Sequence, residues 1–234
     1  MNKILFLLLP VFMLSCDPAD LQKVLDTTSA LTGEETARGL KEALNFGVED
    51  AVSFLSAEDG YNKSIYRILL PEEARKVTDK LQKVPGFSKV EDVLVEKINR
   101  AAEDAAKSAG PIFLSAIKKM SFQDAMDILM GSNNAATTFL ERNTNQALYG
   151  EFNPVIQTSL NKFGALDYWA DAVNTYNKIP FITKVNPDLG DHVTNTAMNG
   201  LFTLVAKKEE GIRTDIGQRT TSLLQKVFAK QDGN

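Results

Sequence analysis

Apolar residues recur at spacings of three and four along nearly all of the chain after Thr32, the pattern of helices that each bury one face. Leu40, Ala43, Leu44, Gly47, Val48, Ala51 and Leu55 form the first stripe. Thr32 and Glu35 are spaced as a capping box and Gly60 suits a C-terminal stop, so a helix is predicted from Thr32 to about Glu58. Tyr61–Leu70 lacks the helical period, and Ile65–Leu70 reads as one short extended segment without a strand partner. Pro71, Glu72 and Glu73 open a second helix, which Pro85-Gly86 ends.

The densest apolar stretch is Ile98–Phe139. Val90, Leu94, Ile98, Ala101, Ala102, Ala105 and Ala109 define one helix face, with a break predicted at Gly110-Pro111. Ser121 and Ser132 are the predicted caps of helices ending at Gly131 and near Gly150. A new helix is predicted after Asn153-Pro154, carrying Phe152, Val155, Ile156 and Leu160. Leu166, Trp169, Val173 and Tyr176 form another face, and Pro180 and Pro187 bracket a loop. Asn186, Pro187 and Asp188 read as the N-cap and first two positions of a long helix buried through Leu189, Val193, Ala197, Gly200, Leu201 and Leu204. Asp215 with Gln218 is the predicted opening of the last helix, whose face holds Ile216, Thr220, Leu223, Leu224, Val227 and Phe228. The sum is an all-α fold: one bundle-like domain of about eight to ten helices by the period count, spanning residues 32–228, with residues 229–234 fraying.

The segment before Thr32 follows a different logic. Lys3 is a short positive region, Ile4–Leu14 is an apolar run too short to span a bilayer, and Met13-Leu14-Ser15-Cys16 resembles the lipobox of bacterial lipoproteins. Residues 1–15 then read as a signal peptide, Cys16 as a lipidated N-terminus and residues 16–31 as a tether. Processing of that kind removes only Lys3 among the charges, leaving 25 basic and 30 acidic residues, or −5. A mildly acidic chain has no electrostatic reason to bind nucleic acid. Cys16 is the sole cysteine, so no disulfide, thiol nucleophile or cysteine zinc site is available to the mature domain. Neither a metal nor a cofactor is expected. The expected membrane partner is the bilayer that holds a Cys16 lipid, in the bacterial cell envelope.

A family resemblance runs through Gly39–Leu44, Asp59-Gly60-Tyr61, Leu70-Pro71, Asn99-Arg100-Ala101-Ala102-Glu103, Pro111-Ile112-Phe113, Asp124-Ala125 and Ala135-Ala136-Thr137. It continues through Tyr176–Phe181, Gly200-Leu201-Phe202, Ile212-Arg213 and Arg219-Thr220-Thr221. In these stretches the chain resembles the bacterial exported Domain of Unknown Function 4197 family. The resemblance implies an exported, mostly helical protein and supplies no catalytic residues.

Several groups are weighed as chemistry against structure. Asn99 and Glu103 lie one turn apart on the flank of an alanine-rich packing face, with Arg100 further round. They form either a polar pocket with Glu103 as general acid or base, or a hydrogen-bond network that sets helix register. The expected charge partner of Glu103 is Arg213 or Arg219, from another helix. Arg213 and Arg219-Thr220-Thr221 also suit an anion at a helix N-terminus, but capping and an interhelical salt bridge are the better reading. His192 falls on a polar face with Asn199 and Thr203, one turn after Asp188, its expected partner. Phe152, Phe163, Trp169, Tyr176 and Phe181 read as core rather than as an apolar ligand pocket. Glu34-Glu35 and Lys207-Lys208-Glu209-Glu210 read as solvated helix faces. The leading expectation is a non-enzymatic envelope lipoprotein that binds an envelope protein or supports assembly. The second is a carrier or sensor of a small apolar or lipid-like ligand, and the third an enzyme using Glu103 or Asp124.

Overall fold

A computed structural model describes residues 32–182 and 188–229. Among these residues there are nine α-helices and no strand, an all-α domain. They are α1 (Gly33–Ser56), α2 (Glu72–Leu81), α3 (Val90–Ala106), α4 (Ala109–Lys119), α5 (Phe122–Leu129), α6 (Ala135–Lys162), α7 (Ala165–Tyr176), α8 (Leu189–Thr214) and α9 (Ser222–Phe228). No described helix is long and apolar enough to cross a membrane. The stretches read as signal peptide and tether lie outside the described residues, with Cys16, as do Asn186 and Pro187.

The long helix α6 is central and packs against α8 and α3, while α1 packs on α8, α4 and α5. The predicted stripes are the faces that meet: Leu40, Ala43, Leu44, Val48, Ala51 and Leu55 of α1 are all buried. Alanines 101, 102, 105 and 106 of α3 are fully buried, and their small size lets α6 and α8 approach closely. Short α9 lies against α1 where Gly39 leaves room; a Cβ there would sit 2.6 Å from Val227 Cγ2.

Several element boundaries depart from the periodicity, among them the start of α6, whose N-cap is Asn134 rather than Ser132. The break expected at Gly110-Pro111 falls between Ala106 and Ala109, so Pro111 stands in the first turn of α4, where its missing N–H costs nothing. Gly150 and Pro154 do not end a helix: α6 runs unbroken through both. Leu148, Phe152, Ile156 and Leu160 keep one buried stripe across the proline, and that packing outweighs the single lost backbone bond. Asp188 is the N-cap of α8, not its second residue, and accepts from Gly190 N–H at 2.9 Å. Asp215 caps only a 3₁₀ turn (Ile216–Gln218), and Thr221 opens α9 by accepting from Leu224 N–H. Ile216 is therefore exposed rather than part of the last helix's buried face. By contrast Ser121 and Asp124 form a complete capping box on α5.

Candidate functional site

Asn99, Arg100 and Glu103 converge, and what they grip is the irregular segment between α1 and α2. Glu103 Oε1 accepts from the backbone N–H groups of Tyr61 and Asn62, each at 3.2 Å. Its Oε2 accepts from Arg100 Nη1 at 2.8 Å, and Arg100 Nη2 donates to Asp59 Oδ1 at 2.8 Å. Lys63 closes the far side on Asp59 Oδ2 at 2.8 Å. The hydrogen bonds from Lys63 and then Arg100 hold the Asp59 carboxyl below the usual carboxylate range. A depressed carboxyl contributes stability above its unfolded-state pKa and loses it as pH falls through the folded value, so this contact is intact at neutral pH.

Asn99 performs a second grip four residues earlier on α3. Its Oδ1 accepts from Ile68 N–H at 2.8 Å while its Nδ2 donates to Ile68 O at 2.8 Å and to Val95 O at 2.7 Å. The extended segment expected at residues 65–70 is shorter, since Ile65 and Tyr66 lie in a turn closed by Arg67 N–H on Ser64 O, and the Asn99 amide satisfies the Ile68 backbone that has no strand to pair with. Between the two grips, the buried Tyr61 ring reaches α8 and its hydroxyl donates to Ala197 O at 2.8 Å. Burial pushes the Tyr61 phenol far above its ordinary pKa, with the Glu103 charge adding to the effect, so it stays a neutral donor. His192 Nε2 lies 2.9 Å from Leu69 O, so its partner is this segment rather than Asp188.

The turn that starts the segment is tightly built. Asp59 takes a left-handed φ of 67°. A Cβ on Gly60 would sit 2.2 Å from Phe54 O and 3.0 Å from Ala57 O. Those are backbone atoms, which no rotamer change can move aside. Gly60→Ala is expected to cost about 1–3 kcal/mol, the range for forced overpacking, measured as a lower denaturant midpoint with unchanged m. A variant of wild-type stability would show that the turn can re-form without the close approach.

Arg213 and Arg219 do not pair with Glu103, contrary to the expectation above; helix register on α3 already brings Arg100 to it. They belong to a second buried cluster. Glu209 Oε1 accepts from Ala136 N–H at 2.9 Å and from Arg213 Nε and Nη2 at 3.0 and 2.9 Å. Its Oε2 accepts from the Thr137 N–H and hydroxyl, both at 2.8 Å. Arg213 Nη2 also donates to Ile128 O at 2.8 Å, and Arg219 donates to Ile212 O at 2.9 Å and Arg213 O at 2.8 Å. The carboxylate thus caps the start of α6, and the guanidiniums cap the ends of α5 and α8, each charge matched to the helix dipole it meets. Phe228 of α9 packs under both arginines, 5.9 Å from each.

Glu209 corrects the reading of Lys207–Glu210 as a solvated face: only 7% of it is exposed. A sequence signal existed, since Leu201, Val205, Glu209 and Ile212 share one stripe of α8. The weight given to the charge run hid it. Asp124, the other acid considered for chemistry, spends its Oδ2 on the Ser121 N–H and hydroxyl at 2.9 and 2.6 Å. These bonds hold its carboxyl below the usual range. Among the aromatics, Phe152, Trp169 and Tyr176 are core, Phe163 is half-buried and Phe181 is fully exposed, so the five do not line one pocket.

An open concavity of about 1070 Å³ lies between α4 and α6, with Asp124 at its edge. Ile112, Ala116, Phe139 and Ala147 contribute its apolar lining, and Lys119, Asp124, Arg142 and Glu151 its charges. Among the described residues, no group of three or more His, Cys, Asp or Glu is placed to hold a metal.

Fold and site together define a helical domain whose inward charges hold helix ends and one irregular segment. Two stretches that carry the family resemblance, Asp59-Gly60-Tyr61 and Asn99–Glu103, meet in the first of these clusters. The model of a family described as "Protein of unknown function (DUF4197)" matches residues 30–229, and the chain belongs to that family. No curated protein and no solved structure matches it.

Proposed function

We propose that this protein is a non-enzymatic lipoprotein of the bacterial envelope, held to the membrane through Cys16, whose helical domain works by binding a partner protein. One observation carries the reading. Glu103, the first carboxylate considered as an acid or base, is occupied on both oxygens, by the Tyr61 and Asn62 amides and by Arg100, and Asp124 has its Oδ2 taken by its own cap. A general base needs a free lone pair within reach of a substrate proton, and Glu103, 5% exposed, has both oxygens engaged by structural donors. The α4–α6 groove offers a concave surface of mixed polarity, suited to a protein segment. A carrier of a small apolar ligand is less well supported, because Phe152, Trp169 and Tyr176 are spent in the core.

Two measurements test the reading. Mass spectrometry of the mature N-terminus is expected to show an acylated Cys16; a soluble chain with another N-terminus would remove the anchor. A photo-crosslinking residue at Ala147, in the groove, is expected to give a discrete protein adduct in cells that a probe at exposed Gln225 does not. Equal labelling from both positions, or none from Ala147, would remove the groove as the binding face.

A further inference from the structure

A second concavity, of about 560 Å³, lies between α1, α8 and the turn that follows α1. Its walls follow from helical spacing. Asp50 and Phe54 stand one turn apart on α1, and Leu204, Lys207 and Lys208 share one face of α8. Two glycines set the close crossings. A Cβ on Gly47 would meet Lys208 Cβ at 3.6 Å, and one on Gly200 would meet Tyr66 Cβ at 3.6 Å. The turn is held by Ser64, whose hydroxyl donates to Gly60 O at 2.6 Å and accepts from Tyr66 N–H at 3.1 Å. The Phe54 and Tyr66 rings then meet edge to face, their centroids 6.3 Å apart. The apolar lining is therefore preformed.

Two features mark this concavity as a binding site. Large apolar side chains stand in water at its edge, Ile65 83% and Phe54 49% exposed, and covering them removes apolar area from water. Its charge also runs against that of the chain. Three ammonium groups, Lys63, Lys207 and Lys208, and one carboxylate, Asp50, line it, in a chain of 26 basic and 30 acidic residues. Lys208 pairs with Asp50, and Lys63 pairs with Asp59 at 2.8 Å. Exposed Lys207 is in no ion pair among the described residues, so its charge is the one left for a ligand acid. Burial holds the Tyr66 phenol above its ordinary pKa, against the pull of the Lys208 charge, so the wall adds no phenolate. An apolar lining beside a free ammonium matches a molecule with an apolar body and an acidic end. We propose that this concavity binds a monomeric anionic amphiphile, a single-chain carboxylate of the fatty-acid type, with its chain over Phe54, Ile65 and Leu204 and its carboxylate on Lys207. A bilayer is the poorer match: Leu204 is only 5% exposed, and a flat surface reaches only what protrudes. The site is separate from the aromatic core and from the α4–α6 groove, and the inference does not rest on a role for that groove.

An NMR titration of the mature chain with dodecanoate, kept below its micelle concentration, tests the assignment. Cys16→Ser keeps the chain free of an acyl group of its own and of the detergent such a group demands. The amides of Ser64, Ile65 and Tyr66 and those of Leu204, Lys207 and Lys208 are expected to shift together and to saturate. Dodecyl maltoside, with the same chain and no charge, is expected to bind roughly tenfold more weakly, for want of one charge-assisted contact. Lys207→Glu is expected to weaken dodecanoate by roughly tenfold or more and to leave the maltoside unchanged. Phe54→Ser and Ile65→Ser are expected to weaken both amphiphiles. All three positions are exposed, and an unchanged thermal midpoint checks that each variant folds. Shifts scattered over the surface, equal affinity for the two amphiphiles, or wild-type dodecanoate binding by Lys207→Glu would overturn the proposal. Binding to phosphatidylglycerol vesicles with no response to monomeric dodecanoate would overturn it as well, and would make the patch a bilayer contact.

Discussion

Glu209→Gln is expected to lower the stability of the folded domain by about 3–5 kcal/mol, the range for stranding one partner of a buried ion pair. In a chain of this size that is a fall in Tm of roughly 10 °C. Both carboxylate oxygens of Glu209 face donors only: Ala136 N–H and Arg213 on one, the Thr137 N–H and hydroxyl on the other. An amide NH₂ in either position meets a donor with no acceptor to turn to, and the Arg213 charge, 4% exposed, loses its counter-ion. Arg213→Met is expected to cost a similar amount, because the α5 end at Ile128 and Leu129 loses its donor as well. The double variant is expected to recover only part of the sum, since the α6 amides stay unsatisfied whatever stands at position 213. A Glu209→Gln protein with an unchanged thermal midpoint would show that this cluster is solvated.

Glu103→Gln is expected to cost about 2–4 kcal/mol, as three hydrogen bonds to a charged acceptor become neutral ones or are lost. The loss is smaller than at Glu209 because Arg100 keeps Asp59 at 2.8 Å and is 20% exposed, so no charge is stranded. Coupling in a double-mutant cycle is expected with Arg100→Met and absent with Arg219→Met, which sits in the other cluster. A variant of full stability that loses a cellular function would instead make Glu103 a working acid or base and would reverse the structural reading.

The helices and their buried faces were legible from residue spacing alone. A stripe such as Leu40–Leu55 can be satisfied only by burial, so local pattern and tertiary packing agree there. The polar flank of α3 was legible as a place: Asn99 and Glu103 fall one turn apart whatever packs on them. The lipobox resemblance at Met13–Cys16 is an expectation from the sequence, and it falls outside the described residues.

Other features depended on contacts between distant residues. The period could not reveal that α6 continues through Pro154, because the packing that compensates the lost bond comes from neighbouring helices. Arg100 meets Glu103 through the i, i+3 register of α3 itself, but that Asp59 shares this arginine, and that Arg213 and Arg219 go to helix ends elsewhere, was decided by the packing. Glu209 shows the limit most plainly. In sequence it is one charge in a run of four. In the fold its position on the apolar stripe of α8 drives it inward, where the free amides of α6 and the Arg213 guanidinium make a buried carboxylate tolerable. The stripe residues alone determine that such helices bury a face; the donors that meet a charge on that face exist only once the helices have packed.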